Sequence, residues 1–144
     1  MSVAPTTQAR QHIQDILNAE FSAEHISVRV GFTDNSLAQY GLVAAVYPIS
    51  EEPQPDDRLA LLTTIGVDFL TIWEPDPDVE RIVDPSVIEG YASRFRSALG
   101  AYQQTGTSTI WWFQLEELTY EPDPTGNITR FNAVVVAYGQ NSAA

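Results

Sequence analysis

Two strand-like segments joined by a turn decide the fold: STIWWFQLEELTYE at residues 108–121 and ITRFNAVVVAYG at residues 128–139. Apolar and polar side chains alternate in both, which is typical of strands with one buried face, and PDPTGN between them is dense in turn residues. The apolar phase of the first segment runs through positions 111, 113 and 115 and then moves to 118 and 120. This one-residue slip predicts a β-bulge at Glu116–Glu117.

Upstream of the hairpin, the periodicity of apolar residues predicts two helices and three more strands. The helices are expected at residues 5–22 and 85–104, and the strands at His25–Phe32, Leu42–Ile49 (ended by Pro48) and Leu59–Trp73. Within the third strand, Ile65, Val67 and Phe69 share one face, whereas Asp68 is expected to face solvent on the other. The predicted fold class is α+β, a mostly antiparallel sheet with two helices packed on one face, in the order α-β-β-β-α-β-β.

No composition shift or repeat divides the chain, so residues 1–144 are predicted to form a single domain with a short disordered tail at about 140–144. Two acidic, proline-bearing segments, SEEPQPDDR at 50–58 and EPDPDVERIVD at 74–84, are interpreted as loops. A chain of 144 residues is long enough to bury a core without disulfides, and it has no cysteine.

The charge is strongly negative, with 19 acidic residues against 7 arginines, no lysine and a net charge of −12. Nucleic-acid binding depends largely on Lys and Arg against phosphates, so we predict no specific binding of DNA or RNA. An anionic membrane surface would repel the chain as well, so we predict no membrane partner. DNA can still slide past such a surface without sticking. The amino terminus lacks the pattern of a signal peptide and no apolar run is membrane-length, so we expect synthesis in the cytoplasm.

Motifs that carry catalysis are absent, and no P-loop, GxSxG, GxGxxG or HExxH occurs. His12 and His25 flank the first helix without a spacing that demands a metal site, and we interpret them as structural. The two acidic segments lack the turn glycine of a calcium loop. We therefore predict no catalytic residue, no cofactor and no metal, and a protein that is not an enzyme.

Trp111 and Trp112 are adjacent on a predicted strand, so one is expected to enter the core and the other to stay outside it. An exposed tryptophan is a natural anchor for a partner, because aromatic residues are enriched at interface cores. The alternative is that helices or loops cover both.

The pattern as a whole resembles the tail terminator proteins of long-tailed bacteriophages. The resemblance covers residues 5–140 and rests on a leading helix, a strand ending in Tyr47-Pro48, an acidic gap at 50–58, the long IGVDFLTIW strand, an amphipathic helix and the closing hairpin. It implies a non-enzymatic virion protein of the tail or neck that forms a ring, usually hexameric. Such a ring caps the head-proximal end of the tail tube, joins it to the head connector and lets DNA pass through.

Related neck, tail-completion and tail tube proteins share this pattern, and a monomeric α+β domain that binds a small ligand is a further alternative. No residue of the family can be carried over by motif. The candidate contact residues between subunits or rings therefore come from exposure and charge alone: Trp73, Trp111, Trp112, Glu51, Glu52, Asp56 and Asp57.

Overall fold

In a computed structural model, which describes residues 4–30, 41–54, 57–72, 85–106, 108–121 and 128–140, the chain forms two α-helices and five strands. They are α1 (Pro5–Glu20), β1 (Ser27–Val30), β2 (Gly41–Gln54), β3 (Asp57–Ile72), α2 (Pro85–Gly100), β4 (Ile110–Glu121) and β5 (Ile128–Gln140). The strands form one sheet in the order β1-β2-β3-β5-β4, in which only β1 and β2 are parallel. The predicted α+β class and element order are confirmed.

Both helices pack on one face of the sheet, which we call the helix-covered face. Ile65, Val67 and Phe69 alternate along β3 onto this face and are fully buried, as their spacing predicts. Each helix contributes one apolar stripe: Ala9, Ile13 and Leu17 from α1, and Ile88, Ala92, Phe95 and Leu99 from α2. The core therefore lies between one face of the sheet and the two helices.

Phe69 lies at the centre of this core. Its ring stacks on Phe131 with centroids 4.7 Å apart, and it contacts Phe21 at 5.0 Å and Tyr91 at 5.7 Å. These rings come from β3, β5, α2 and the residue that caps α1. A single side chain thus joins the sheet to both helices.

The segment at 50–58 is not a loop, and Pro48 does not end a strand; both predictions are wrong. β2 continues to Gln54, and β3 begins at Asp57, so most of the segment belongs to a hairpin. The register shifts between Pro48 and Ser50. In the described part of the chain, β1 pairs with β2 only as far as Val46. Pro48 lies beyond that point, so its lack of a backbone N–H removes no hydrogen bond to β1.

The second helix is shorter than predicted, because α2 ends at Gly100 rather than near 104. Tyr102 nevertheless packs against the core, and its hydroxyl donates to the Ile110 carbonyl oxygen at 2.9 Å. The predicted capping residue Asp84 lies outside the described residues. At the other end of the chain, Gln140 pairs with Ala60 in the sheet, and the residues after it, where the tail is predicted, lie outside the described residues.

The bulge predicted at Glu116–Glu117 is confirmed by a register shift between Leu115 and Glu117. A second shift, which the sequence did not predict, falls between Ile110 and Trp112. Each shift leaves one residue without a directly opposite partner on β5, so the side-chain alternation of β4 is reset twice.

Gly139 is required where β5 passes the start of β4. A Cβ atom added there would lie 2.6 Å from the backbone oxygen of Thr109, which cannot move freely because it accepts the Gln140 N–H at 2.8 Å. We expect Gly139→Ala to lower the free energy of unfolding by about 1–3 kcal/mol, as overpacking does. Urea denaturation measures this, with Gly90→Ala as the control, because a Cβ at Gly90 meets open space. Equal effects of the two substitutions would contradict the steric account.

Arg94 connects the two helices at their outer surface. Its Nε donates to a Glu20 carboxylate oxygen at 3.0 Å, its Nη1 donates to Glu24 at 2.5 Å, and its guanidinium lies 4.5 Å from the centre of the Phe21 ring. Hydrogen bonding to Arg94 lowers the pKa of the Glu24 carboxyl below its ordinary 4.5, and the same contacts raise the pKa of Arg94. The side chains of Arg94 and Glu20 are each 36% exposed and that of Glu24 is 28% exposed, so screening by water keeps the contribution of these ion pairs modest.

This contact makes stability depend on pH in a defined direction. A carboxyl whose pKa is lowered by folding stabilises the protein above about pH 4.5, and the contribution is lost as pH falls through the folded-state pKa. We expect Glu24→Gln to lower Tm at pH 7 and to have a shrinking effect as the pH falls to 3. Glu116→Gln, at an exposed position in β4, is the control. A Tm difference that stays constant with pH would contradict this.

Candidate interaction surface

The sheet face opposite the helices, which we call the second face, is apolar and buried in its centre. Val43, Ala45 and Leu70 are all buried there although the helices lie on the other side. Asp68 is also buried, at 7% exposure, so the prediction that it faces solvent is wrong. The Asn132 amide nitrogen donates to an Asp68 carboxylate oxygen at 2.5 Å, which provides the partner that a buried carboxylate needs.

The margin of the second face carries three aromatic rings, Trp111, Trp112 and Tyr138, which we call the aromatic patch. Trp112 is directly opposite Tyr138 on β5, and their rings stack with centroids 5.1 Å apart and planes 20° apart. The Trp111 ring is 6.0 Å from that of Trp112. Trp112 remains 51% exposed despite these contacts, so a large apolar surface faces outward.

The expectation that one tryptophan enters the core is wrong. Neither Trp111 nor Trp112 belongs to the buried core, and their rings lie side by side. The register shift at Trp111 cancels the alternation that would place neighbours on opposite faces. The sequence did not identify Tyr138 as part of the patch. Tyr138 joins it only through the pairing of β4 with β5, and the register of that pairing could not be predicted from the sequence.

The other predicted contact residues are not brought to this patch. Glu51 and Glu52 are exposed and lie opposite Thr63 and Leu62 on β3, so their side chains are on different faces of the hairpin. Asp57 is the first residue of β3 and pairs with Gln54. Trp73 and Asp56 lie outside the described residues, as does the acidic segment at 74–84.

Two acidic residues lie on the second face at a distance from the aromatic patch. Glu52 lies in the same cross-strand row as Trp112, three strands away from it, which is about 14 Å. Glu117 lies on the same strand side as Trp112, about 13 Å from it along the strand direction. β4 is also an edge strand of the described sheet. Its two register shifts and its acidic residues protect that edge from pairing with another strand, so the face offers the better contact surface.

Ordinary structural contacts account for His12. Its Nε2 is 2.9 Å from the Ser108 hydroxyl, which is also 3.0 Å from the Tyr102 hydroxyl, and this cluster ties α1 to the start of β4. Across the described ranges, no three His, Asp or Glu side chains converge into a group that could hold a metal ion. No helix in those ranges has the length and apolarity needed to cross a membrane.

The fold defines the chain as an α+β sandwich with helices on one side and an aromatic patch on the other. Comparison with known proteins finds no matching family model and no curated protein of similar sequence. Among solved structures, the chain is similar to one from the virion of a native gene transfer agent particle, with a TM-score of 0.54 and 12% identity over 93% of this chain and 94% of that one. This similarity shows a shared fold.

A second similar structure is the sheath/tube terminator of an extracellular contractile injection system, PVC, in its extended state. The TM-score is 0.37 and the identity 12%, over 90% of this chain and 57% of that one. A similarity at this level does not establish a shared fold.

Proposed function

We propose that the protein is a structural subunit of a virion tail, a terminator that forms a ring on the head-proximal end of the tail tube and joins it to the head connector. The observation that carries the proposal is the fold, which this chain shares over nearly its whole length with a chain of a gene transfer agent virion. The resemblance of the sequence to tail terminators points the same way. The protein would then reside in the tail or neck of the particle.

The surface of the chain supports an assembling role. A monomer rarely leaves a tryptophan half exposed beside two other aromatic rings, and Trp112 does so on an otherwise well-packed sheet. Tryptophan and tyrosine are also the residues that most often dominate binding energy at interfaces. We therefore assign the aromatic patch to contact between protein subunits. Six copies in the ring are what the resemblance to tail terminators implies.

The charge supports passage of DNA through the ring. A net charge of −12 repels phosphates, so a channel lined by such subunits lets DNA move without binding it. The partners that follow are further copies of this chain, the tail tube protein and the head connector protein. No catalytic step is assigned to the protein, which acts by shape and contact.

A tube-capping assay tests the function directly. The cognate tail tube protein is polymerised alone and with increasing amounts of this protein, and the products are imaged by negative stain. A terminator is expected to shorten the tubes in proportion to its amount and to appear as a ring at one end of each. Tubes of unchanged length with no ring at either end would overturn the proposal.

A further inference from the structure

We infer that Tyr102 is a positioning residue for the aromatic patch: its hydroxyl holds Ile110 in the register that creates the bulge at Trp111. That bulge sets the rings of Trp111 and Trp112 side by side. The inference concerns the geometry of the patch, and only its assembly readout rests on the proposed function. It is carried by the hydrogen bonds around the start of β4.

Ile110 turns its backbone polar groups toward the outer edge of β4, an edge strand of the described sheet. It lies opposite Gly139, and the N–H of Gln140 donates to the carbonyl oxygen of Thr109, one residue away on each strand. In an antiparallel ladder, bonds between the flanking residues mark a pair that exchanges no hydrogen bond of its own. The N–H and the carbonyl of Ile110 therefore point away from β5 and need other partners.

Side chains from outside the sheet supply both partners. The Tyr102 hydroxyl donates to the Ile110 carbonyl oxygen at 2.9 Å, and the Ile110 N–H donates to the Ser108 hydroxyl oxygen at 3.2 Å. The preceding residue is held in the same way, because the Thr109 N–H donates to the Gln8 side-chain oxygen at 3.1 Å. We call the side chains that hold this part of the strand the β4 anchor: Gln8, His12, Tyr102 and Ser108.

The protons of the β4 anchor have one consistent arrangement. A carbonyl oxygen only accepts, so the Tyr102 hydrogen is committed to Ile110, and the Ser108 hydrogen must donate to the Tyr102 oxygen at 3.0 Å. The Ser108 oxygen then accepts from His12, whose Nε2 lies 2.9 Å away and must carry a hydrogen. Because these bonds form one connected chain, removing the Tyr102 hydroxyl disturbs all of its members.

The anchored position of Ile110 requires the strand to bulge. Trp112 is opposite Tyr138, the neighbour of Gly139, so two steps along β4 are matched with one step along β5. If Ile110 were released, regular pairing counted back from Trp112 would place Trp111 opposite Gly139. Adjacent residues of a regular strand point to opposite faces, so the Trp111 ring would leave the patch for the helix-covered side.

Tyr102→Phe tests the inference, because it removes the hydroxyl and keeps the ring that packs against Phe113. Two close indole rings give an exciton couplet in far-ultraviolet circular dichroism, and the centroids of Trp111 and Trp112 are 6.0 Å apart. Trp111→Phe and Trp112→Phe identify this couplet in the spectrum of the wild-type protein. We expect Tyr102→Phe to lose about half of the couplet or more, because the Ile110 carbonyl loses its partner.

Tyr91→Phe is the matched control. The Tyr91 ring packs against Phe21 and Phe69 in the core, and its hydroxyl has no hydrogen bond with the described part of the chain, so the couplet is expected to stay unchanged. Ser108→Ala is expected to reduce the couplet as Tyr102→Phe does, whereas Ser108→Thr, which keeps a hydroxyl, is expected to preserve it. An unchanged couplet in Tyr102→Phe, or an equal loss in Tyr91→Phe, would overturn the inference.

Nitrogen NMR of the His12 ring checks the proton arrangement independently. The two neutral forms of a histidine ring differ in the chemical shifts of their nitrogens, and we expect the form that carries its hydrogen on Nε2. A hydrogen on Nδ1 alone would break the chain of donors within the β4 anchor and would overturn the inference.

Sedimentation velocity on the same samples separates this inference from the proposed function. Loss of the couplet together with loss of assembly supports both the positioning role of Tyr102 and the contact role of the patch. Loss of the couplet with normal assembly retains the positioning role and removes the patch from subunit contact. Loss of assembly with an intact couplet overturns the inference, because Tyr102 would then act on assembly without moving the tryptophans.

Discussion

Phe69→Ala is expected to lower the free energy of unfolding by about 3–5 kcal/mol, the loss typical of a fully buried phenylalanine. The ring has no exposed surface and contacts Phe21, Tyr91 and Phe131 at once, so its removal leaves a cavity between the sheet and both helices. Because domains of this size are stable by only about 5–15 kcal/mol, the variant is expected to be partly unfolded at physiological temperature. Urea denaturation followed by circular dichroism measures the change.

Tyr120→Ala is the matched control for Phe69→Ala. Tyr120 lies opposite Phe131 on the same face of the sheet, but it is 46% exposed. We expect its loss to change stability by less than about 1 kcal/mol, as at surface positions generally. Comparable destabilisation by the two variants would show that the core is not centred on Phe69.

Trp112→Ala is expected to abolish assembly of the ring while leaving the folded monomer intact. A tryptophan at the centre of an interface contributes about 2 kcal/mol or more, so each contact would weaken roughly 30-fold. The effect multiplies around a ring because every junction carries the same defect. Stability is expected to change little, because half of the side chain is already in water.

Sedimentation velocity and thermal denaturation on the same samples separate the two effects. Tyr120→Ala is again the control, because it removes an exposed aromatic ring from the helix-covered face and is expected to assemble normally. Equal losses of Tm and of assembly in Trp112→Ala would assign this residue to folding rather than to contact. Normal assembly of the variant would remove the aromatic patch from the interface.

The hairpin of β4 and β5 and the packing of β3 were predictable from the sequence because one face of each strand is buried. When one face of a strand is buried, a shift of one residue would move all of its apolar side chains to the other face. The change in the spacing of apolar residues between Leu115 and Leu118 therefore predicted the bulge between them. The apolar stripes of both helices were predictable for the same reason. Local patterns are strong wherever one side of an element meets the core.

What the sequence did not reveal depends on contacts between distant segments. Pro48 and the acidic residues after it have the composition of a loop, yet pairing with β3 holds them in a strand. Asp68 is buried because Asn132, 64 positions later, lies opposite it and supplies a hydrogen bond. Composition cannot report such partners.

The aromatic patch shows the same limit. Trp111 and Trp112 were identified as contact candidates from their residue type, but the shift that brings their rings together and the stacking of Tyr138 follow from the register of two strands. Glu51 and Glu52 were grouped by proximity in sequence, and the alternation of the hairpin separates them. The assignment of these residues to contacts between subunits, with that of Trp73, Asp56 and Asp57, stays a prediction.

Native mass spectrometry across a concentration series, with negative-stain imaging of the largest species, tests the central claim most directly. The account predicts a closed ring of six copies with a central hole, formed by the wild-type protein and lost in Trp112→Ala. A protein that remains monomeric at every concentration, both alone and with tail tubes present, would contradict it and favour a binding domain that acts as a single copy.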